Sequence, residues 1–408
     1  MMMYKEQLAD EAEVTIPACN YGTDVGSQCR GKRYLLVIKN LTFLYSHFWL
    51  LAQRIQRCGW DVWIAAGETK DPGRITAAGM HYYPIPPANG AWDARGEFRT
   101  ALHIHRCLRI VHPDLVHFVY LKNVITGGVL ARVNRTPAVL GSITGLGTLF
   151  SEQRLAYRCI QSAVFAGLRI GFRHSNSVVA VENTDDRELF LRAGALTSGQ
   201  TMIVPGSGVA WRATKQPEEP PHSPVILLTS RMIKPKGVLL LIEACNKLIE
   251  AGIDFECWLA GDLDPGNPNS LTAAELGAAE ASGHIRWLGY RSDVPDLLEK
   301  CSIYCLPTYY REGLPQSLIE AAAAGKPIVT TDMPGCRDIV KNNVNGWLVP
   351  RQNSSELFSA LKKLLLKPEE RKRMGEASRR IFEERLTLDA VFSAFNQCYA
   401  RLAVDLTL

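Results

Sequence analysis

Two doubly wound α/β domains, with a ligand cleft between their strand ends, are the architecture this sequence predicts. Three observations lead there. Short apolar runs alternate with helix-like segments, the pattern of parallel strands joined by helical crossovers. The alternation runs twice, broken near Pro205-Gly-Ser-Gly208 and by a proline-rich stretch from Pro217 to Pro224 that has no periodicity. At 408 residues the chain also exceeds what one core usually serves.

In chain order, Tyr34 to Ile38 is an apolar run, followed by a helix-like segment from His47 to Cys58 that Gly59 ends. Val62 to Ala65 returns as a second strand. Leu115 to Phe118 and Ala138 to Leu140 follow, separated by a helical stretch from Gly127 to Val133, and Glu152 to Asn176 is a proline-free helix. The second alternation begins with a strand at Val225 to Leu228 and a helix from Gly237 to Glu250. Strands follow at Phe255 to Leu259, Ile285 to Trp287, Ile303 to Leu306, Ile328 to Val329 and Trp347 to Val349, and helices run from Ser354 onward. The implied division is a loose tail (1–33), a first domain (34–209), a linker (210–224), a second domain (225–385), and a helix (386–408) packing back toward the first domain.

Composition excludes several classes. Apolar residues make up 47% and charged residues 21%, as in ordinary globular proteins. No apolar run is long enough for a spanning helix, and the first 33 residues lack the apolar core of a signal peptide. The 11 cysteines form no CxxC pair and read as buried thiols in a reducing cytoplasm. The net charge of +5 is uneven: residues 31–181 hold 18 Lys/Arg against 7 Asp/Glu, which suggests an anionic partner surface. On the 152–176 helix, Arg154, Arg158, Arg169 and Arg173 fall in one quadrant with Phe165 and Phe172. Ala156, Ile160, Ala163, Gly167 and Ile170 lie opposite, as if on the core. An Arg-plus-Phe face suits an anionic membrane surface; the alternative is a solvated helix face. Nucleic acid is not expected, because these arginines are not interleaved with stacking aromatics across a sheet. A phosphate loop, a dinucleotide fingerprint and a nucleophile elbow are all missing their required residues.

The chemistry concentrates in the second domain. Glu312 and Glu320 stand eight apart in Arg311-Glu-Gly-Leu-Pro-Gln-Ser-Leu-Ile-Glu320, a strand–loop–helix transition with Pro315 suited to the first helical turn. A helix start of this kind binds anions, above all phosphate. Carboxylates flanking it repel phosphate and accept from hydroxyls, and sugar hydroxyls on both sides of a diphosphate fit: a nucleotide sugar. Arg231 and Lys236, between a strand and a helix, sit where open α/β sheets bind ligands and can neutralise a diphosphate leaving group. Alone, such a pair also caps helices. Gly261, after the next strand, marks another tight strand-end turn. His117, with Lys122 beyond the same first-domain strand, faces an acceptor or donor sugar or is a satisfied core histidine; the residues leave both open.

These stretches together resemble the family-4 retaining glycosyltransferases of the GT-B fold, two Rossmann-like domains facing across a cleft, over residues 34 to 400. The Glu312-x7-Glu320 pair matches the family hallmark. The resemblance implies that Glu312 holds donor-sugar hydroxyls and Glu320 the ribose hydroxyls. It pairs Arg231 and Lys236 with the diphosphate and turns the Gly313 and Leu314 N–H groups toward the phosphates. The first domain is similar to a narrower group that extends polyprenyl-diphosphate-linked sugars for surface polysaccharides and glycans. The matching stretches are Pro113-Asp-Leu-Val-His117, Thr144-Gly-Leu-Gly147, Glu182-Asn183-x-Asp185-Asp186 and Pro205-Gly-Ser-Gly-Val209. Where that group usually carries Asp after the last of these, this chain has Ala210, at the interdomain hinge.

The resemblance implies a UDP-sugar co-substrate, a lipid-linked glycan acceptor and retention of anomeric configuration by front-face displacement. It implies neither a metal nor another cofactor; Asp185 and Asp186 precede a helix and read as its cap. The expected location is cytoplasmic, peripherally on the inner face of the cytoplasmic membrane. The alternatives are a soluble-acceptor transferase, an epimerase, or a non-catalytic nucleotide-sugar-binding partner.

Overall fold

Runs of β-branched and aliphatic residues, buried on both faces, build two parallel sheets. The structure, a computed structural model, describes residues 31–86, 93–150, 155–211, 223–404 and 406–408. Nearly all of the expected tail, most of the expected linker, and Arg154 lie outside these. Two units divide the chain: one runs to Ser207 and takes up Asp389–Leu408, and the other is Gly208–Leu388.

The first unit's sheet holds β1 (Arg33–Asn40), β2 (Asp61–Gly67), β3 (His81–Pro84), β4 (Leu115–Val119), β5 (Ala138–Ile143), β6 (Ser177–Val181) and β7 (Thr201–Ile203). Their order is β3-β2-β1-β4-β5-β6-β7 and every pairing is parallel. Its helices are α1 (Trp49–Arg57), α2 (Gly73–Ala77), α3 (Ala94–Val111), α4 (Leu121–Val133), α5 (Leu155–Gly171) and α6 (Thr184–Arg192). A π-helical turn, Leu44–Phe48, precedes α1, and Gly59 at φ +88° follows it, its N–H donating to the Gln56 carbonyl. The helix α3 has no counterpart among the elements expected from sequence.

Two local expectations change. Asn183, not an aspartate, caps α6: its side chain accepts from the Asp186 N–H at 2.8 Å and its amide donates to the Asp186 carboxylate at 3.0 Å. The orientation of α5 also differs. Its buried stripe is Val164, Leu168, Gly171 and then Phe172 just beyond, whereas Ala163 and Ile170, expected on the core, are exposed. Phe165 packs between the rings of Phe150 and Phe190, with centroids 5.7 and 6.2 Å away. The helix is turned by about a quarter rotation from the expected orientation, so the aromatics belong to the core. Arg158, Arg169 and Arg173 stay exposed, with Arg169 donating to the Ala193 and Gly194 carbonyls.

In the second unit, β8 (Val225–Thr229), β9 (Glu256–Ala260), β10 (Ile285–Gly289), β11 (Ile303–Leu306), β12 (Ile328–Thr331) and β13 (Gly346–Val349) form a parallel sheet in the order β10-β9-β8-β11-β12-β13. The principal helices between and after them are α7 (Val238–Glu250), α8 (Ala273–Glu280), α9 (Val294–Lys300), α10 (Gln316–Ala323), α11 (Cys336–Ile339), α12 (Ser354–Leu366) and α13 (Pro368–Arg385). The capping box Thr272/Glu275 opens α8, and the five residues of β8 are buried throughout.

One more helix, α14 (Leu388–Arg401), lies almost wholly in the first unit. Phe395 sets its ring 5.7 Å from His117, the Asn176 amide donates to the Leu402 carbonyl at 2.8 Å, and Arg401 donates to the Gly199 carbonyl at 3.0 Å. Phe395 and Tyr399 are fully or almost fully buried there.

Candidate active site

The second sheet changes direction at one place. From β8 the chain winds outward through β9 to β10, then returns to β11 on the other side of β8 and winds the opposite way. The loops leaving adjacent β8 and β11 therefore diverge around a crevice at the strand carboxyl ends, where such sheets bind ligands. Those loops carry Arg231, Lys236 and Glu312.

Backbone and side-chain bonds stitch the two loops together. The Tyr309 N–H and the Thr308 hydroxyl both donate to the Pro235 carbonyl, at 2.9 and 3.1 Å. Across this seam the Lys236 ammonium meets Glu312 Oε2 at 2.6 Å, with both side chains only about 15% exposed. The Thr308 hydroxyl reaches Glu312 Oε1 at 3.2 Å. Two residues 76 apart in sequence thus form a partly desolvated ion pair with a fixed carboxylate orientation. Lys236 and Thr308 between them engage both oxygens of this carboxylate.

Arg231 lies on the same loop and pairs outward. Its Nη1 donates to Asp264 Oδ2 at 2.6 Å. Asp264, in the loop after β9, is itself held by the Asn267 amide at 3.1 Å, and its own N–H donates to the Ser270 hydroxyl at 2.9 Å. Arg231 is more than half exposed, so this pair holds it loosely. Gly261 packs its backbone on the Arg231 loop: a Cβ there would stand 1.7 Å from the Ser230 carbonyl oxygen. Its N–H already donates to Gly289 and its carbonyl accepts from Trp287, so Gly261 serves loop packing.

Glu320 sits on α10, which starts directly after the β11 loop. Pro315 is the cap residue rather than the first helical one, and its carbonyl accepts from the Leu318 and Ile319 N–H groups. Glu320 is buried, with the Gln316 amide 3.4 Å from its Oε1. Beneath it Tyr304 of β11 bonds the Thr229 hydroxyl at 2.8 Å, and burial raises the phenol pKa, so it stays neutral. Gly313 and Leu314 form the approach to α10. The β12 loop presses on them from the far side: Gly335, at φ +80°, would place a Cβ 1.8 Å from the Gly313 carbonyl oxygen. Only glycine permits that approach. The structure thus brings Lys236, Glu312, Gly313, Leu314 and Glu320 to one strand-end region, with Arg231 on its rim. Sequence reasoning missed Thr308 and Asp264, which carry no motif signal of their own.

In the first unit His117 is wholly buried on β4. Its Nδ1 meets the Tyr34 hydroxyl at 2.6 Å and its Nε2 the Ser142 hydroxyl at 2.7 Å, so the two neighbouring strands satisfy both nitrogens. Rings of Phe48 and Phe395 close over it, and burial pushes its pKa down to about 3. This is the core-histidine arrangement, not a sugar-facing one. Lys122, at the start of α4, pairs with Glu97 of α3.

The sequence description "Glycosyl transferases group 1" matches residues 210–381, and "Glycosyl transferase 4-like" matches residues 34–181. Between them they take in the second sheet, the first sheet through β6, and every residue of the strand-end region. The chain is a glycosyltransferase. Among its relatives is the N,N'-diacetylbacillosaminyl-diphospho-undecaprenol alpha-1,3-N-acetylgalactosaminyltransferase of Campylobacter jejuni. It is 24% identical over 284 residues, 65% of this chain and 72% of that one. The UDP-Gal:alpha-D-GlcNAc-diphosphoundecaprenol alpha-1,3-galactosyltransferase of Escherichia coli is 22% identical over 65% of this chain and 70% of its own length. Among solved structures, the sucrose-phosphate synthase of Thermosynechococcus elongatus superposes with a TM-score of 0.73, covering 91% of this chain and 99% of that one at 17% identity. Anabaena HepE in complex with UDP-glucose gives 0.66, with the same coverage and identity. The glycosyltransferase therefore has the GT-B fold, as its two parallel sheets indicated. Among the described residues, no helix of the transferase is long and apolar enough to cross a membrane.

Proposed function

We propose that the transferase moves a hexose or N-acetylhexosamine from a UDP-sugar to a polyprenyl-diphosphate-linked glycan in surface polysaccharide biosynthesis, retaining the anomeric configuration. The observation that carries the reading is the Lys236–Glu312 pair, bridging the two loops at the switch point of the second sheet. The names of the Campylobacter jejuni and Escherichia coli relatives, both built on diphospho-undecaprenol, support the acceptor class. The solved complex of HepE with UDP-glucose supports the donor class.

In this reading Lys236 and Arg231 take the donor's diphosphate. Glu312 accepts from donor-sugar hydroxyls and Glu320 from the ribose. The bond between the anomeric carbon and the phosphate oxygen breaks, and the acceptor oxygen bonds to that carbon on the same face. The acceptor's proton passes to the departing phosphate oxygen, while the two cations hold its charge. No metal takes part. The lipid-linked acceptor places the protein peripherally at the inner face of the cytoplasmic membrane.

The test is UDP release from a panel of UDP-sugars by the wild type and by Glu312→Ala. Turnover of one donor, lost on substitution, supports the reading and identifies the sugar. UDP binding without release from any donor, even with lipid-linked acceptor present, replaces it with a non-catalytic nucleotide-sugar-binding partner. Transfer to soluble glycans alone replaces the acceptor assignment.

A further inference from the structure

Among the described residues, the helix α3 presents a face that neither its own core nor a neighbouring element covers. Gly96, Ile104, Cys107, Leu108 and Val111 anchor it to the sheet. On its outer side Phe98 is 71% exposed, Ile110 61% and Leu102 37%. Between them stand Arg95, Arg99, Arg106 and Arg109, all exposed. At about 100° per residue these seven side chains fall within an arc of about 120°. Glu97 lies outside the arc and is bound to Lys122. It is the one acidic residue in the sequences of α3, α4 and α5.

The neighbouring helices extend the same chemistry. α4 packs beside α3, and α5 beside α4. The end of α4 exposes Arg132, Val133 and Arg135, and Arg132 donates to the carbonyl of exposed Ile170 on α5 at 3.1 Å. An ordinary solvated surface intersperses both charge signs; this one does not.

We propose that the α3 face is where the transferase rests on an anionic lipid bilayer, with the arginines at the phosphate level and Phe98, Leu102 and Ile110 inserted among the upper acyl carbons. A helix lying in the interface needs both components on one exposed side. A second copy of this chain is a poor occupant, because it would set four arginines against four. A nucleic acid is poorer still, since Leu102 and Ile110 offer no ring on which a base can stack. The proposal rests on the reading that the acceptor is lipid-linked, and it moves the membrane contact from α5 to α3.

The test is co-sedimentation of the full chain with phosphatidylcholine vesicles, with and without phosphatidylglycerol, at low and high salt. The wild type is expected to bind the anionic vesicles and to release as salt rises. Arg99→Glu with Arg106→Glu should weaken binding by about tenfold or more. Phe98→Ser with Ile110→Ser should weaken it by about tenfold at unchanged charge. Arg158→Glu, on α5, should weaken it less than either pair. Wild-type binding by the α3 variants overturns the proposal. So does loss on charge reversal with no effect of the apolar pair, which marks a polyanion site, or a wild-type dimer that Phe98→Ser dissociates. UDP-sugar turnover without lipid, unchanged in the α3 variants, separates this outcome from failure of the catalytic reading: vesicle binding through α3 stands even where no donor is consumed.

Discussion

Replacing His117 separates a packing role from a sugar-binding one through the pH dependence of stability. The ring is wholly buried between the Tyr34 and Ser142 hydroxyls, and burial lowers its pKa from 6.5 to about 3. The unfolded chain therefore takes the proton first. Stability from this site is full above pH 6.5 and is lost as pH falls toward 3. At pH 5 the unfolded group is 1.5 units below its pKa and the folded one is still neutral, so the loss is about 2 kcal/mol at about 1.4 kcal/mol per unit. His117→Gln keeps a donor and an acceptor but does not titrate. The variant should be less stable than the wild type at pH 7, with the gap closing by about 2 kcal/mol at pH 5. Hydrogen exchange of β4 and β5 amides, corrected for intrinsic rates at each pH, reads this locally. An unchanged gap between the two pH values, or a raised KM for the donor with no stability change, would refute the core assignment.

Two further substitutions probe the same geometry. Phe172→Ala removes a ring that is 1% exposed and should cost about 3–5 kcal/mol in urea unfolding. Arg158→Glu, on the exposed side of α5, should stay within about 0.5 kcal/mol; equal costs would restore the orientation expected from sequence. Gly335→Ala forces a methyl to within 1.8 Å of the Gly313 carbonyl oxygen, so the β11 loop must shift. Its UDP affinity should fall by about tenfold or more, at 1.4 kcal/mol per decade, in a titration calorimeter, and an unaltered affinity would show that this loop does not shape the nucleotide site.

One side of the strand-end region is legible in the sequence because its residues follow one another: a strand, a glycine turn and a helix start carry Glu312, Gly313 and Leu314 in one short stretch. The spacing of Arg231 and Lys236 likewise survives folding, since both lie on one loop. What joins the loops was not legible, because Thr308 and Pro235 meet only through the pairing of β8 with β11. The helix α3 escaped notice for a related reason. Its apolar residues occur on both sides, Ile104 and Leu108 inward and Phe98 and Ile110 outward, so no single stripe emerges from the pattern. The same ambiguity turned α5, where alanines and aliphatics surround the helix and only contact with α4 fixes the buried side. His117 could not be decided from its neighbours in sequence, since its partners arrive from β1 and β5.

The crossing of α14 into the first unit bears on the order in which the protein can be made. Tyr399 and Phe395 pack against Tyr34 and His117, yet they leave the ribosome only after all of Gly208–Leu388 has been synthesised. The earlier half of the chain must therefore wait, with the α14 side of Tyr34 and His117 uncovered, while the later half is translated and can close on its own. The half that is translated later can therefore finish folding before the half that was begun first.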